Sequence, residues 1–128
     1  VLVLIDLDNF KLLNDTYGHQ YGDDVLINVA KSMRSACRSE DYCGRIGGDE
    51  FVIFLRNLSC DYDILPRIEA IRLAILNCMD DREIVASFGV ACYPNDSHNV
   101  DELYRHSDEA MYRAKRSQKH KIQFYKKI

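Results

Sequence analysis

The chain opens with an apolar run that acids interrupt only near its end. Residues 1–7 are aliphatic apart from Asp6, and Asp8 follows directly. An uninterrupted run of this length is typical of a central strand that is buried on both faces. Because side chains alternate along a strand, we expect Asp6 and Asp8 to point to the same side at its C-terminal end.

A helical pattern follows after a short polar segment. Asn14, Asp15 and Gly18 are turn signals that separate this pattern from the strand. Residues 22–37 then repeat apolar side chains at helical spacing, with Asp23 at the expected N-cap position. The apolar positions are Val25, Leu26, Val29, Met33 and Cys37.

The middle of the chain predicts a β-hairpin. Two strand-like runs, at 42–46 and 51–56, flank a Gly-Gly pair at 47–48. Glycine adopts positive φ without a Cβ penalty, so we expect the tight turn at this pair. The segment RIGGDEFVIF therefore places two adjacent acids, Asp49 and Glu50, at the root of a buried strand.

The remaining patterns predict two helices and two strands. They are a helix with Ile64, Leu65, Ile68, Ile71 and Ile75 on its apolar face, a strand over 84–93, a helix over 101–117 with Leu103, Ala110, Met111 and Ala114 inward, and an edge strand over 121–126. The order β-α-(α)-β-β-α-β-α-β predicts an α+β fold. We expect a mostly antiparallel central sheet that carries the hairpin, with helices packed around it, close to a ferredoxin-like palm.

Length and cysteine content restrict the class of protein. The chain has 128 residues, which fits one domain with its own core. No apolar run approaches the roughly 20 residues that a membrane span needs, so we expect no membrane contact. The five cysteines are odd in number and form no CxxC pair. This pattern predicts free thiols in a reducing cytoplasm rather than a zinc site.

The charges are distributed unevenly. Residues 1–50 hold nine acids against five Lys/Arg, whereas residues 113–128 hold seven Lys/Arg and no acid. The basic tail is compatible with a solvated helix face or with a phosphate-binding wall opposite an acidic metal site. If the first strand neighbours the hairpin, Asp6 meets Asp49, and a divalent cation would relieve their repulsion. The alternative is that Asp49 and Glu50 are polar turn residues.

Several motifs in the right order resemble those of a known family. DLDNFKLLNDTYGHQYGDDVL, RIGGDEF, SFGVACYP and SDEAMYRAK together resemble the GGDEF family of diguanylate cyclases, over nearly the whole chain. These bacterial enzymes condense two GTP molecules into cyclic di-GMP and release pyrophosphate. The helix and the DxLTxLxNR segment that usually open the family are absent here. We therefore expect residues 1–128 to be a single GGDEF domain, trimmed from a longer signalling protein with an upstream sensory domain.

The resemblance implies a metal site with catalytic carboxylates. Asp6 corresponds to the first acid of the family's DxD motif, a metal ligand, and the carbonyl of Leu7 adds a contact. Asp49 is the other side-chain ligand, and Glu50 has a supporting or metal-binding role. Two Mg²⁺ or Mn²⁺ ions are implied for each active site. Catalysis then takes place across a homodimer, in which each 3′-oxygen attacks the partner's α-phosphate.

The resemblance also implies base recognition and phosphate contacts from one region. Asn14 would donate to guanine O6, and Asp23 would accept from guanine N1–H and N2–H. Adenine would leave that carboxylate unpaired, so Asp23 favours GTP. The backbone N–H groups around Phe10 and Lys11 would face the phosphates, as at a helix N-terminus.

Further nucleotide contacts are implied by the signature glycines and the basic tail. Gly47 and Gly48 lack side chains where the nucleotide must cross the turn. Lys115 and Lys119 lie four residues apart, which predicts one shared helix face directed at the terminal phosphates. Lys119 stands where the family has Arg, so it keeps the charge but loses the bidentate geometry.

An RxxD motif and two alternative functions complete the expectations. Arg38 and Asp41 form the motif just before the hairpin, and in the family this is the inhibitory site for cyclic di-GMP. A surface ion pair is the alternative interpretation of RxxD. For the whole domain, the alternatives are a non-catalytic GGDEF module that binds GTP or cyclic di-GMP and regulates an attached domain, and the palm of another nucleotidyl transferase. No nucleic acid polymer is expected as a partner.

Overall fold

A computed structural model of the chain describes residues 1–58, 60 and 63–126. They form strands β1 (Leu2–Leu7), β2 (Tyr42–Gly47), β3 (Glu50–Phe54), β4 (Ala86–Ala91) and β5 (Ile122–Phe124), and helices α1 (Phe10–Tyr17), α2 (His19–Ala36), α3 (Ile64–Leu76) and α4 (Val100–Arg116). The strand order is β2-β3-β1-β4-β5. Every pairing is antiparallel except that of β4 with β5. The predicted α+β, palm-like fold is confirmed.

The sheet is covered on both faces, and β1 lies at its centre. Val3, Ile5 and Leu7 face the larger core, which is closed by α2 and α3. Leu2 packs on the opposite face with Leu103 of α4. All of these side chains are buried, because successive residues of a central strand supply both layers. The acids that follow this apolar run are therefore held at the end of the most buried strand.

Helix α4 packs closely on strand β4 at Gly89. A Cβ at Gly89 would lie 2.0 Å from the carbonyl oxygen of Ser107 and 2.3 Å from the backbone nitrogen of Met111. Backbone atoms cannot move aside as a flexible side chain can, so Gly89→Ala should push the helix off the sheet. We expect a loss of about 2 kcal/mol in the free energy of unfolding, measurable by chemical denaturation.

The matched control for this change is Gly44→Ala on strand β2. There an added Cβ would meet only Val52 Cγ1, at 3.8 Å, which is an ordinary contact. Equal losses for the two variants would contradict the packing argument.

The predicted faces of the last two helices are largely correct. The inward positions of α4 are buried, and Ile64, Ile68, Ile71 and Ile75 of α3 are buried as well. Leu65 is the exception, because it lies on the outer side of α3 and is exposed. Among the described residues, no helix has both the length and the apolar character that a membrane crossing requires.

The predicted turn before α2 is wrong. Asn14 and Asp15 lie inside a helix, α1, which Gly18 separates from α2 with φ 93. Asn and Asp favour turns but can also lie inside a helix, so α1 continues through both residues. The helix ends at Gly18, because glycine tolerates this φ. Since α2 begins at His19 with Gly18 as its N-cap, Asp23 lies in its second turn and not at its cap.

The hairpin turn is displaced by one residue from the predicted pair. Gly47 pairs with Glu50, so Gly48 and Asp49 form the turn, and the register shifts between Arg45 and Gly47. A bulge of this kind adds one residue to a strand. Of the two glycines, Gly48 has positive φ, at 52. The displacement places Asp49 at the tip of the hairpin.

The prediction of five free thiols is wrong for one pair. Cys60 and Cys92 form a disulfide with their Cα atoms 6.0 Å apart. Their separation of 32 residues gives no spacing signal, because the pairing depends on the tertiary fold. Cys37, Cys43 and Cys78 are free.

Candidate active site

Carboxylates gather where β1 ends beside the hairpin. Asp6 lies opposite Glu50 in the pairing of β1 with β3. The backbone N–H of Leu7 donates to the carbonyl of Asp49 at 3.1 Å, so the hairpin tip is attached to the end of β1 through the main chain. The structure thus brings Asp6, Asp49 and Glu50 to one edge of the fold.

The environment of Asp6 is unfavourable for its negative charge. Burial raises its pKa to about 6, the nearby Asp49 carboxylate adds to the rise, and a contact with Lys115 opposes it. Oδ1 of Asp6 is buried without a hydrogen-bond partner. A buried carboxylate oxygen in this state is costly unless a cation or proton satisfies it, so these residues fit a divalent cation.

The protein alone supplies few groups for such an ion. Within residues 1–58, 60 and 63–126, no three His, Cys, Asp or Glu side chains converge as a metal cluster. Main-chain oxygens or substrate phosphates would therefore complete the shell, which is the usual pattern for Mg²⁺. A cavity of about 530 Å³ adjoins Asp6 and Glu50 and is bounded by α4 residues that include Asp108, Tyr112 and Lys115.

Two lysines face the acidic edge. Nζ of Lys115 lies 3.2 Å from Asp6 Oδ2 and 3.7 Å from Asp8 Oδ1. Nζ of Lys121 lies 2.6 Å from Asp8 Oδ2, and the hydroxyl of Ser87 donates to Asp8 Oδ1 at 2.8 Å. The acids of β1 and the basic tail are therefore in direct contact. This contact favours the interpretation of the tail as a wall of the site over that of a purely solvated helix face.

The predicted pairing of Lys115 with Lys119 on one helix face is wrong. α4 ends at Arg116, so Lys119 lies in the connection to β5. There it lines a separate cavity of about 490 Å³ with residues of α3 that include Leu65 and Arg72. Lys121 takes the place beside the acids. The only sequence signal for this role of Lys121 was its position in the basic tail. Nothing in the sequence pattern predicted that β5 pairs with β4 in parallel.

The residues expected to recognise guanine, Asn14 and Asp23, lie near the junction of α1 and α2. A Cβ at Gly22 would lie 1.7 Å from Asn14 Oδ1 and 3.3 Å from Phe10 Cζ. Gly22 is therefore the residue that lets Asn14 pack against α2. Asp23 follows it and is exposed, and Lys11 is exposed in the first turn of α1. The structure thus places Asn14 beside the residue that precedes Asp23. Along α1, Asn14 lies about one turn from Phe10 and Lys11, the residues expected to face the phosphates.

The RxxD motif forms an ion pair in which the acid is buried and the arginine is partly exposed. Asp41 is 2% exposed and accepts from the backbone N–H of Arg38 at 2.9 Å, from Arg38 Nη2 at 3.0 Å and from the backbone N–H of Arg56 at 3.1 Å. Arg67 of α3, which the sequence did not indicate, adds a contact at 3.7 Å. Burial would raise the pKa of Asp41, but the hydrogen bonds from Arg38 outweigh it and lower the pKa.

The chain belongs to the class of α+β domains with a palm-like sheet, and it has acids at the end of the central strand and lysines that face them. Comparison with known families is consistent with this class. The family model described as "Diguanylate cyclase, GGDEF domain" matches residues 1–121. The chain belongs to the GGDEF family.

Individual relatives and solved structures agree. A diguanylate cyclase of Vibrio cholerae is 36% identical over 97% of this chain, which spans 39% of that relative's length. The structure of the active GGEEF domain of a Vibrio cholerae diguanylate cyclase has a TM-score of 0.85 and 34% identity, with 99% of this chain and 83% of that chain covered. The GGDEF domain of DgcB from Caulobacter crescentus, in complex with c-di-GMP, has a TM-score of 0.78 and 28% identity, with 97% and 76% covered.

Proposed function

We propose that this domain is a diguanylate cyclase that condenses two GTP molecules into cyclic di-GMP and releases pyrophosphate. The observation that carries the proposal is the buried, unpartnered Oδ1 of Asp6 beside Asp49 at the tip of the GGDEF hairpin. Membership of the GGDEF family, with relatives that are diguanylate cyclases, supports the same activity.

The carboxylates would hold the metal. Asp6 and Asp49 would ligate through their side chains and Leu7 through its carbonyl, with Glu50 adjacent. Two Mg²⁺ or Mn²⁺ ions in this position would lower the pKa of the attacking 3′-hydroxyl and stabilise charge on the leaving pyrophosphate. Holding two like charges close together in the free protein prepares the site, because their repulsion is relieved only when cations bind.

The nucleotide would lie across α1. The first N–H groups of α1, at Phe10 and Lys11, have no partner within the helix and would bind phosphate oxygens. Asn14 and Asp23 would form hydrogen bonds to the guanine edge. Gly47 and Gly48 have no side chains, so the nucleotide could lie across the hairpin turn without a steric clash. Lys115 would leave Asp6 for the terminal phosphates.

Catalysis would need two copies of the domain. Each holds one GTP, and each 3′-oxygen attacks the partner's α-phosphate in line, so a homodimer completes both bonds of the product. We propose that an upstream sensory segment of the full-length protein controls this encounter and that the domain acts in the cytoplasm.

The direct test is to incubate concentrated protein with GTP and Mg²⁺ and to assay cyclic di-GMP by chromatography. We expect product from GTP and none from ATP alone. Removal of the divalent ion by EDTA should abolish the product. Tight binding of GTP without product would identify a non-catalytic GTP-binding module instead.

We also propose product inhibition at the RxxD motif. The side chain of Asp41 has no exposed surface, whereas that of Arg38 is 29% exposed. Asp41 would therefore act through Arg38, by holding the guanidinium toward the ligand, and not by contacting guanine itself. Arg38 would bind phosphate or guanine of cyclic di-GMP through its fork of N–H groups.

Arg38→Ala should raise the inhibition constant for cyclic di-GMP by about tenfold or more, because one charge-assisted contact is lost. Initial rates of synthesis at increasing inhibitor measure it. Arg72→Ala is the matched control, since that arginine pairs with Glu69 on α3. Unchanged inhibition in Arg38→Ala would remove the proposed site.

A further inference from the structure

A network of three residues at the acidic edge has no role in the mechanism above. Asp8 directly follows β1, Ser87 lies in β4, and Lys121 directly precedes β5. Their side chains are 14% exposed for Asp8 and 16% exposed for Lys121, and Ser87 is fully buried. The main chain holds the network in place. The N–H of Asp8 donates to the carbonyl of Val85, and the carbonyl of Lys121 accepts from the N–H of Phe88, each at 2.8 Å.

Asp8 is satisfied within this network, in contrast to Asp6. Its Oδ2 is paired with Lys121 at 2.6 Å, and its Oδ1 accepts from the Ser87 hydroxyl at 2.8 Å. Asp6 has one contact to Lys115 and one buried oxygen without any hydrogen bond. The two acids of the DxD motif thus have different states: Asp6 is open to a cation, and Asp8 is already neutralised by the protein.

Lys115 contacts both acids, so the pairing of Asp8 affects how strongly Lys115 is held. Its ammonium lies between the two acids, 3.2 Å from Asp6 and 3.7 Å from Asp8, and it must leave both before it can bind a polyphosphate. Without Lys121, Asp8 would be a mostly buried carboxylate with Lys115 as its nearest cation. Such an acid would retain Lys115, because an unpaired buried charge is costly.

We infer that Lys121 is a positioning residue that neutralises Asp8 and so frees Lys115 for the triphosphate of the nucleotide. The inference rests on the proposed function, because it concerns the GTP site. It assigns Asp8 a role as the anchor of Lys121 rather than as a metal ligand.

The experiment measures nucleotide binding without turnover. The probe is the GTP analogue with a methylene group between the α and β phosphorus atoms, titrated calorimetrically with Mg²⁺ present. We expect Lys121→Met to weaken binding by about tenfold, the equivalent of about 1.4 kcal/mol. Lys121→Met/Asp8→Asn should restore affinity to within about twofold of the wild type, because Asp8 then no longer retains Lys115.

Two controls separate this role from its alternatives. Lys121→Met/Asp108→Asn makes the same change in net charge with an acid from the neighbouring cavity, and it should not restore binding. Lys31→Met makes the same lysine change on the exposed side of α2 and should leave affinity unchanged. Thermal unfolding of each variant verifies that the fold is retained.

Each result supports or overturns the inference. The inference is supported if Asp8→Asn restores nucleotide affinity to Lys121→Met and Asp108→Asn does not. Failure of that rescue shows that Lys121 contacts the phosphates directly, and equal rescue by Asp108→Asn shows a general field effect; both overturn it, as does unchanged binding in Lys121→Met. If the wild type binds the analogue but makes no cyclic di-GMP from GTP, the proposed activity fails while the positioning role is still decided by the titrations.

Discussion

Replacing Asp49 by alanine should reduce cyclic di-GMP synthesis by about a thousandfold or more, the scale expected when a group that stabilises transition-state charge is removed. Asp49 is the side chain that the hairpin tip contributes to the acidic edge, and the main-chain bond from Leu7 to Asp49 does not depend on its side chain. The loss should therefore be chemical and not structural. Initial rates with saturating GTP and Mg²⁺ measure it.

The stability of the same variant distinguishes the two causes. The folded-state pKa of Asp6 is about 6, above the 3.8 of an unperturbed aspartate, so the folded protein binds more protons than the unfolded chain between these values. The free energy of unfolding consequently falls as pH rises through that window. Asp49→Ala removes part of the repulsion, so this fall should become smaller and the apo protein should not be destabilised at neutral pH.

The control is Asp24→Ala, an exposed acid of α2 whose side chain accepts from Gln20 at 3.3 Å. It should synthesise product at the wild-type rate. Synthesis by Asp49→Ala at that same rate would contradict the assignment of the acidic edge as the catalytic centre. A drop in rate accompanied by loss of the fold would contradict the electrostatic argument.

Asp41→Ala should lower the free energy of unfolding by about 2–3 kcal/mol, the scale of losing hydrogen bonds to a buried charged acceptor. The Asp41 carboxylate holds Arg38, Arg67 and the backbone N–H of Arg56 together. Its loss would leave these donors without their acceptor and would detach the loop after α2 from α3. Urea denaturation at neutral pH measures the change.

The pH dependence gives an independent signature of this pair. The pKa of Asp41 is lowered in the folded state, so its stabilising effect is complete above the ordinary aspartate value of about 4 and disappears as pH falls through the lowered value. The difference between wild type and Asp41→Ala should narrow in acid. Glu40→Ala is the control, because that side chain is 46% exposed in its pair with Arg38 and should cost about 1 kcal/mol or less. Similar losses at Asp41 and Glu40 would contradict the buried pair.

The sequence predicted those parts of the fold that local pattern controls. The run at residues 1–7 defined the central strand, and the periodicity of α3 and α4 defined their buried faces, because period 2 and period 3.6 follow directly from backbone geometry. The sequence indicated that Asp6 and Asp49 would meet only on the condition that β1 lies beside the hairpin, and the pairing of β1 with β3 fulfils that condition.

The failures came where distant segments determine the outcome. A turn was predicted at Asn14 and Asp15 because both are turn formers by composition, yet they lie within α1 and Asn14 packs on Gly22 in the tertiary structure. The role of Lys121 could not be seen because it depends on the parallel pairing of β5 with β4. The Cys60–Cys92 disulfide and the contact of Arg67 with Asp41 likewise join segments with no common sequence pattern.

The main-chain hydrogen bond from Leu7 to Asp49 makes the hairpin tolerant of different acids at its tip. Because the tip is held by backbone atoms and by the positive φ of Gly48, its location does not depend on which acid follows the glycines. An exchange of aspartate for glutamate there alters only the reach of the carboxylate. The active Vibrio cholerae domain has GGEEF where this chain has GGDEF, and we expect Asp49→Glu to leave the hairpin backbone unchanged.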